Sequence, residues 1–232
     1  MMMYGTCDSA KKVRRGLTLL AALCLSFPLS LMAEGQTARL PDPLKDEALA
    51  KTSSQQTAVF AGGCFWGVQA VFQHTKGVVS ATSGYAGGAE GVAKYDLVSN
   101  GNTGHAESVK IIYDPAKISY GKLLKIYFAV AHNPTELNRQ GPDTGTQYRS
   151  EVFATNPLQQ QIAEGYISQL SAARVYPEKI VTRVSALPAF YAAESYHQDF
   201  ARKHPDHPYI VRFDLPKIDH LKQQFPELFR AE

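Results

Sequence analysis

Cys64 stands between Gly62 and Gly63 on one side and Phe65, Trp66 and Gly67 on the other. Residues 57–61 carry β-branched and apolar side chains, and Phe65, Val68, Val71 and Phe72 recur at helical spacing, so the segment reads strand, glycine turn, helix. A thiol on the first turn of a helix lies beside unpaired backbone N–H groups and the positive end of the peptide dipoles, which favour thiolate over thiol. Trp66 is the single tryptophan of the chain, and beside a nucleophile it offers a wall for a small apolar group. A cysteine that merely fills a tight turn, next to a core tryptophan, would fit the same six residues.

The elements that must position this thiol follow from the pattern downstream. Residues 77–84 read as a second strand, 84–94 as a glycine-rich loop and 107–113 as a strand ended by Asp114-Pro115. Ser119 caps a helix with Leu123, Leu124, Tyr127, Phe128 and Ala131 at helical spacing. Residues 133–148 form a long loop with Pro134, Gly141, Pro142 and Gly145, of the length that usually carries function. A strand at 151–154, a helix from Asn156 and Pro157 to about Ala173, a strand at 179–185 and a helix at 190–203 complete the pattern. From Pro205 the chain reads as an irregular tail, and the order of elements implies a two-layer α+β sandwich.

The chain has 232 residues, enough for one domain with a full core. Its formal charge of +3 is carried by Lys11, Lys12, Arg14 and Arg15 against Asp8, so the rest is formally neutral and gives no electrostatic case for nucleic acid. That basic cluster precedes an apolar run over 16–32, the pattern of a signal peptide spanning 1–33, with cleavage after Ala33 and export to the periplasm. An uncleaved leader acting as a membrane anchor is the alternative, and contact with a membrane is expected only then. Lipid modification at Cys24 is disfavoured because Leu23 precedes it. Residues 34–56 are polar, contain Pro41 and Pro43 with one short helical stretch near 44–51, and read as a linker to a catalytic domain over 57–232. Cys7 and Cys24 fall in the leader, so Cys64 is alone in the mature chain and has no internal disulfide partner.

Four further segments act jointly with the cysteine turn: Tyr95-Asp96, Gly101-Asn102-Thr103-Gly104-His105-Ala106-Glu107, Gly141 to Ser150 with Asp143, Thr144, Tyr148 and Arg149, and Tyr196-His197-Gln198-Asp199-Phe200. Together with Gly62-Gly63-Cys64-Phe65-Trp66-Gly67 they closely resemble the peptide methionine sulfoxide reductase A family over about residues 57–215. The resemblance implies a mixed sheet with helices around a ferredoxin-like split β-α-β core. It implies Cys64 as nucleophile, Phe65 and Trp66 as pocket for the sulfoxide methyl, Glu107 as acid, Tyr95 and Tyr148 as donors to the sulfoxide oxygen and Asp143 as a substrate contact. His197 matches a substrate-site position with no specified role. The substrate implied is the S epimer of methionine sulfoxide, free or in oxidised proteins.

The chemistry needs these residue types. Oxide is a poor leaving group, so a thiol takes oxygen from a sulfoxide only if an acid protonates that oxygen, and phenols can hold it meanwhile. An exposed glutamate would be ionised at neutral pH, so the acid must be buried. Many family members carry resolving cysteines in a glycine-rich tail; the tail here has none, and its Tyr209-Ile210-Val211 stretch and basic, helical end look like single-cysteine members. A sulfenic acid on Cys64 then requires an external thiol reductant, a thioredoxin-like protein or a small thiol, and no bound cofactor. Two rivals stay open in the sequence: a cysteine hydrolase with His105, His132 or His197 as base, and a module that binds oxidised methionine without turnover. His204, Asp206 and His207 read as surface residues, and no metal site is expected.

Overall fold

Val59 and Ala61 are buried on one side of a strand and Ala58 and Phe60 on the other, so that strand has to run inside a sheet covered on both faces. In the computed structural model, which describes residues 40–231, it is β1 (Gln56–Ala61). There follow α1 (Phe65–Gln73), β2 (Val78–Ala86), α2 (Tyr95–Val98), β3 (Ala106–Tyr113), α3 (Tyr120–Ile126), the two-residue strands β4 (Arg139–Gln140) and β5 (Asp143–Thr144), β6 (Glu151–Ala154), α4 (Pro157–Ala172), β7 (Arg183–Ala186), β8 (Phe190–Ala192), α5 (Phe200–Lys203) and α6 (Leu215–Gln224). Six strands make one mixed sheet in the order β7-β6-β1-β3-β2-β8. β3 is antiparallel to both β1 and β2, which therefore run parallel with one strand between them, and β6 and β7 pair in parallel through the α4 crossover.

One face of the sheet carries α1, α3 and α4 over a core that includes Phe60, Phe72, Ile111, Tyr120, Tyr127 and Tyr166. Phe60 stacks on Tyr127 with ring centroids 4.9 Å apart, and burying each such ring removes enough apolar surface to stabilise the fold by roughly 2–3 kcal/mol. On the other face Val59, Ala61, Ala86, Ala106 and Phe153 are covered by Leu187 and Phe190. The expected caps are in place: Ser119 Oγ accepts the Lys122 N–H at 3.2 Å, and Asn156 Oδ1 accepts that of Gln159 at 2.9 Å. Among the described residues no helix is long and apolar enough to cross a membrane.

Several sequence expectations change. The leader over 1–33 and its cleavage point lie outside the described residues, as do residues 34–39 of the expected linker. Residues 40–55 contain no helix and are tied to the domain: Asp46 accepts the Gly121 N–H at 2.7 Å, Asp42 pairs with Lys122 and Lys125, and Leu40 is buried. The strand expected at 179–185 starts only at Arg183.

The helix expected over 190–203 is absent because edge pairing on β2 competes with it. Residues 190–192 pair with Gly84–Ala86 as β8, and the Gln198 amide then prolongs the edge by accepting the Ser83 N–H at 3.0 Å and donating to the Ser83 carbonyl at 2.9 Å. Asp199 has φ +59°, which ends any continuous helix there. The tail expected to be irregular is also helical, with a wide-turn segment at Ile210–Asp214 running into α6, where Pro216 stands in the first turn and lacks no needed donor.

Candidate active site

The turn between β1 and α1 is shaped by what crosses it. Gly63 has φ +87°, and the Gln140 side chain of β4 occupies the space a Cβ would need. Beneath the turn the Tyr127 hydroxyl donates to the Ala61 carbonyl at 2.6 Å. Cys64 is the N-cap of α1, half-buried, with no side-chain cap of its own. The same packing brings Asp143, on β5 beside Gln140, to the mouth of the site.

Glu107 enters from β3 on the helix-covered face and accepts the Phe65 N–H at 3.0 Å. It is 2 % exposed, and among the described residues no cation pairs with it. Burial pushes its carboxyl up to about 8, reinforced by the negative charge of Asp143 and opposed by the Phe65 N–H. At pH 7 it is therefore mostly protonated. The expectation of a buried acid beside the thiol thus has a geometric basis.

The expectation for the thiol is reversed. Burial first, then the charges of Glu107 and Asp214, push Cys64 well above the ordinary thiol value; the Trp66 N–H and the Lys217 ammonium pull it down without prevailing. Helix placement alone does not make a resting thiolate here.

Phe65 is buried against Tyr85 and His197, with ring centroids 5.9 and 5.0 Å away. Trp66 is fixed on three sides: its face stacks on Phe200 at 3.8 Å, its indole N–H donates to His197 Nδ1 at 3.2 Å, and its edge meets Tyr209. Tyr95 opens α2, and its backbone N–H donates to Glu194, whose other oxygen accepts from the Tyr85 hydroxyl, both at 2.9 Å. Tyr148 is carried by a loop pinned where Gln147 donates to the Ser99 carbonyl at 2.9 Å. Burial raises both phenols above their usual range, and the charges of Glu107 and Cys64 add to it, which puts both within electrostatic reach of that pair. The eight residues singled out in the sequence, Cys64, Phe65, Trp66, Tyr95, Glu107, Asp143, Tyr148 and His197, are linked to one another by ring contacts, the Phe65–Glu107 hydrogen bond and mutual electrostatics.

Three contributors were not legible, Glu194, Asp214 and Lys217, while Gln198 and Tyr209 stood in stretches the sequence singled out without a role of their own. Asp214 is fully buried, pairs with Lys217 at 3.1 Å, and fills the space where Gly67 lacks a Cβ. The Asp214-Leu215-Pro216-Lys217 run, an acid and a base three apart around a helix-starting proline, is the signal that could have found this pair.

The histidines argue against the hydrolase rival. His105 uses Nδ1 to accept the Gly88 N–H and Nε2 to reach the Ala89 carbonyl. His132 is bound to the Tyr127 carbonyl and to Ser150, and burial lowers it to about 3. His197 spends Nδ1 on Trp66. Among the described residues none of the three is hydrogen-bonded to the Cys64 thiol, although the buried Nε2 of His197 has no partner. Among the described residues no three His, Cys, Asp or Glu are grouped to hold a metal ion, and His207 instead lies edge-on to Trp66.

Known proteins place this arrangement. The family model for peptide methionine sulfoxide reductase matches residues 56–228. The chain is 62 % identical over 174 residues to peptide methionine sulfoxide reductase MsrA 2 of Mesorhizobium japonicum, covering 75 % of this chain and 89 % of that one. It is 50 % identical over 195 residues to the MsrA 2 protein of Synechocystis, covering 83 % and 91 %. Among solved structures, reduced Mxr1 from Saccharomyces cerevisiae superposes with a TM-score of 0.62 at 30 % identity, over 69 % of this chain and 94 % of that one. Methionine sulfoxide reductase A of Corynebacterium diphtheriae gives 0.59 at 35 %, over 67 % and 77 %.

Proposed function

The chain belongs to the peptide methionine sulfoxide reductase A family and reduces methionine S-sulfoxide to methionine in a thiol-dependent reaction of protein repair, and from that premise we propose how its residues divide the work. The observation that carries the assignment is the buried, cation-free Glu107 hydrogen-bonded to the residue after Cys64.

The substrate methyl lies against Phe65 and Trp66, and Tyr95 and Tyr148 donate to the sulfoxide oxygen. Cys64 sulfur bonds to the substrate sulfur as Glu107 delivers its proton to the oxygen and takes the thiol proton in its place; the hydroxyl then passes to Cys64 as the substrate S–O bond and the new S–S bond break, releasing the thioether. In balance, thiol and sulfoxide become sulfenic acid and thioether: Cys64 is oxidised by two electrons, the substrate sulfur is reduced by two, and the oxygen ends on Cys64. This scheme needs no resting thiolate, which fits a Cys64 held above the ordinary thiol value. Asp143 contacts the substrate at the rim.

No cysteine besides Cys64 occurs from residue 34 onward, so regeneration falls to an external thiol. One thiol displaces water from the sulfenic acid to give a mixed disulfide, and a second releases Cys64. A thioredoxin-like protein or a small thiol fits this role. The leader pattern supports export to the periplasm, with anchoring by an uncleaved leader as the alternative. β1-α1-β2 with β3 inserted supports reading the core as a ferredoxin-like split β-α-β unit.

The test is a single turnover without reductant. Each epimer of a peptide sulfoxide is mixed with enzyme, and methionine and the mass of the Cys64 peptide are followed. One methionine per enzyme from the S epimer, with one oxygen gained at Cys64, is expected. Binding without methionine release would leave the non-catalytic binder as the better reading.

A further inference from the structure

Asp214 and Lys217 form an ion pair that the first half of the reaction does not use. Asp214 is fully buried at the end of the wide-turn segment of the tail. Lys217, three residues on in the first turn of α6, pairs with it at 3.1 Å through a side chain 18 % exposed. Both reach the first turn of α1: carboxylate and ammonium occupy the space a Cβ on Gly67 would need, the ammonium 2.7 Å from that position. Gly67 stands three residues after Cys64, so a cation from the tail is seated beside the start of the helix that carries the thiol. Its charge also reaches His132, whose ring packs against Gly62 on the other side of the same turn.

The two halves of the cycle ask opposite things of Cys64. In the first, Glu107 takes the thiol proton and no resting thiolate is needed. In the second, one external thiol displaces water and forms the mixed disulfide. A second thiolate then attacks the sulfur of the external partner, the bond from that sulfur to Cys64 breaks, and Cys64 departs with the electron pair. Over this half-reaction Cys64 is reduced by two electrons, and two external thiols are oxidised by two to one disulfide. A thiolate leaves faster the lower its pKa, so burial and the charges of Glu107 and Asp214, which push Cys64 up, oppose the step, whereas Lys217 pulls the other way. We propose that Lys217 supports the departing Cys64 thiolate during regeneration. The tail brings no resolving cysteine; it brings instead a positive charge for the step that frees the enzyme from its reductant. This inference rests on regeneration by external thiols.

The test isolates that release. Enzyme oxidised by one equivalent of a peptide S-sulfoxide is converted to its mixed disulfide with β-mercaptoethanol, an uncharged partner that offers Lys217 no ion pair of its own. Fresh β-mercaptoethanol is then added, and the free Cys64 peptide is followed by mass. Lys217→Met is expected to slow release about threefold to tenfold, so that mixed disulfide accumulates during turnover, and to change single-turnover methionine release by less than about twofold. Lys217→Arg keeps the charge and is expected to release Cys64 within about twofold of the parent. Asp214→Asn separates charge from architecture. It breaks the same ion pair, so a merely structural role predicts slowing as in Lys217→Met, whereas removal of a negative charge predicts release at least as fast as in the parent. Slowed release in Asp214→Asn, or a parental rate in folded Lys217→Met, would overturn the role of Lys217; should Lys217→Met fail to fold, Asp214→Asn decides alone. Turnover in the parent with no mixed disulfide at Cys64 would overturn regeneration by external thiols and this role with it, and methionine release with no oxygen gained at Cys64 would instead overturn the first half-reaction.

Discussion

Glu107 and Glu151 are two glutamates on the same sheet, 2 % and 6 % exposed, that do opposite things. Glu107 faces the helix-covered side and has one backbone N–H as its partner. Glu151 shares the other side with Phe153, accepts from Arg149 Nε at 2.6 Å and from the Ser185 hydroxyl at 2.8 Å, and ties β6 to β7. Burial is nearly the same, so burial does not decide the role. The donors within reach do: a guanidinium compensates a buried negative charge, whereas a single amide leaves the neutral acid favoured. Asp214 lies between the two, raised by burial but held back by Lys217.

The sharpest way to break this contrast is to neutralise both carboxylates. Glu107→Gln is expected to slow the first step by on the order of 10³-fold in single-turnover methionine release while the domain stays folded, because it removes the proton and keeps the shape. Glu151→Ala strands Arg149 without its counter-charge and is expected to destabilise the domain by about 3–5 kcal/mol in denaturant unfolding, with the rate per folded molecule changed by less than about tenfold. Similar rates for the two variants would abolish the distinction.

A pH series sharpens it next. The Glu107 carboxyl is raised from 4.5 to about 8 in the folded chain. The folded state thus holds this proton more tightly, and its stabilising contribution is complete below about pH 4.5 and lost as pH rises through about 8. The first-step rate is expected to fall over the upper part of that window. Glu107→Gln, which never ionises, is expected to melt about 5–10 °C above the parent at pH 9 and to show little difference at pH 5. A parental pH dependence of Tm in Glu107→Gln would place the titration elsewhere.

The smallest effect is expected at the intermediate pair. Lys217→Met removes a cation that favours ionised Cys64, so the thiol rises further and alkylation of Cys64 at pH 8 slows by about threefold to tenfold. Unchanged alkylation would exclude Lys217 from the electrostatics of the site.

Local spacing made much of the molecule legible. The turn at Gly62-Gly63, the caps at Ser119 and Asn156, and β3 follow from neighbours a few residues apart, where backbone sterics and capping act. Five motifs in order marked the eight site residues, since a reactive centre restricts residue type even where sequence distance is large. The segment 190–203 departs from its expected helix for the opposite reason. The apolar spacing around Phe190, Tyr191, Tyr196 and Phe200 suits a helix, and only the free edge of β2, more than a hundred residues earlier, turns it into β8 and a side chain that imitates a strand.

What the sequence determined by itself is the inventory of the reaction: one thiol in a glycine turn, an acid, phenols, an aromatic wall and no second cysteine from residue 34 onward. What tertiary structure alone decided is the charge state of that inventory and the frame that holds it. Whether a carboxyl keeps its proton, or a thiol loses one, depends on solvent exclusion and on charges a few ångströms away, such as Asp214 and Lys217 against Cys64. Those distances exist only once α1, β3, the loop at 139–148 and the tail have packed together.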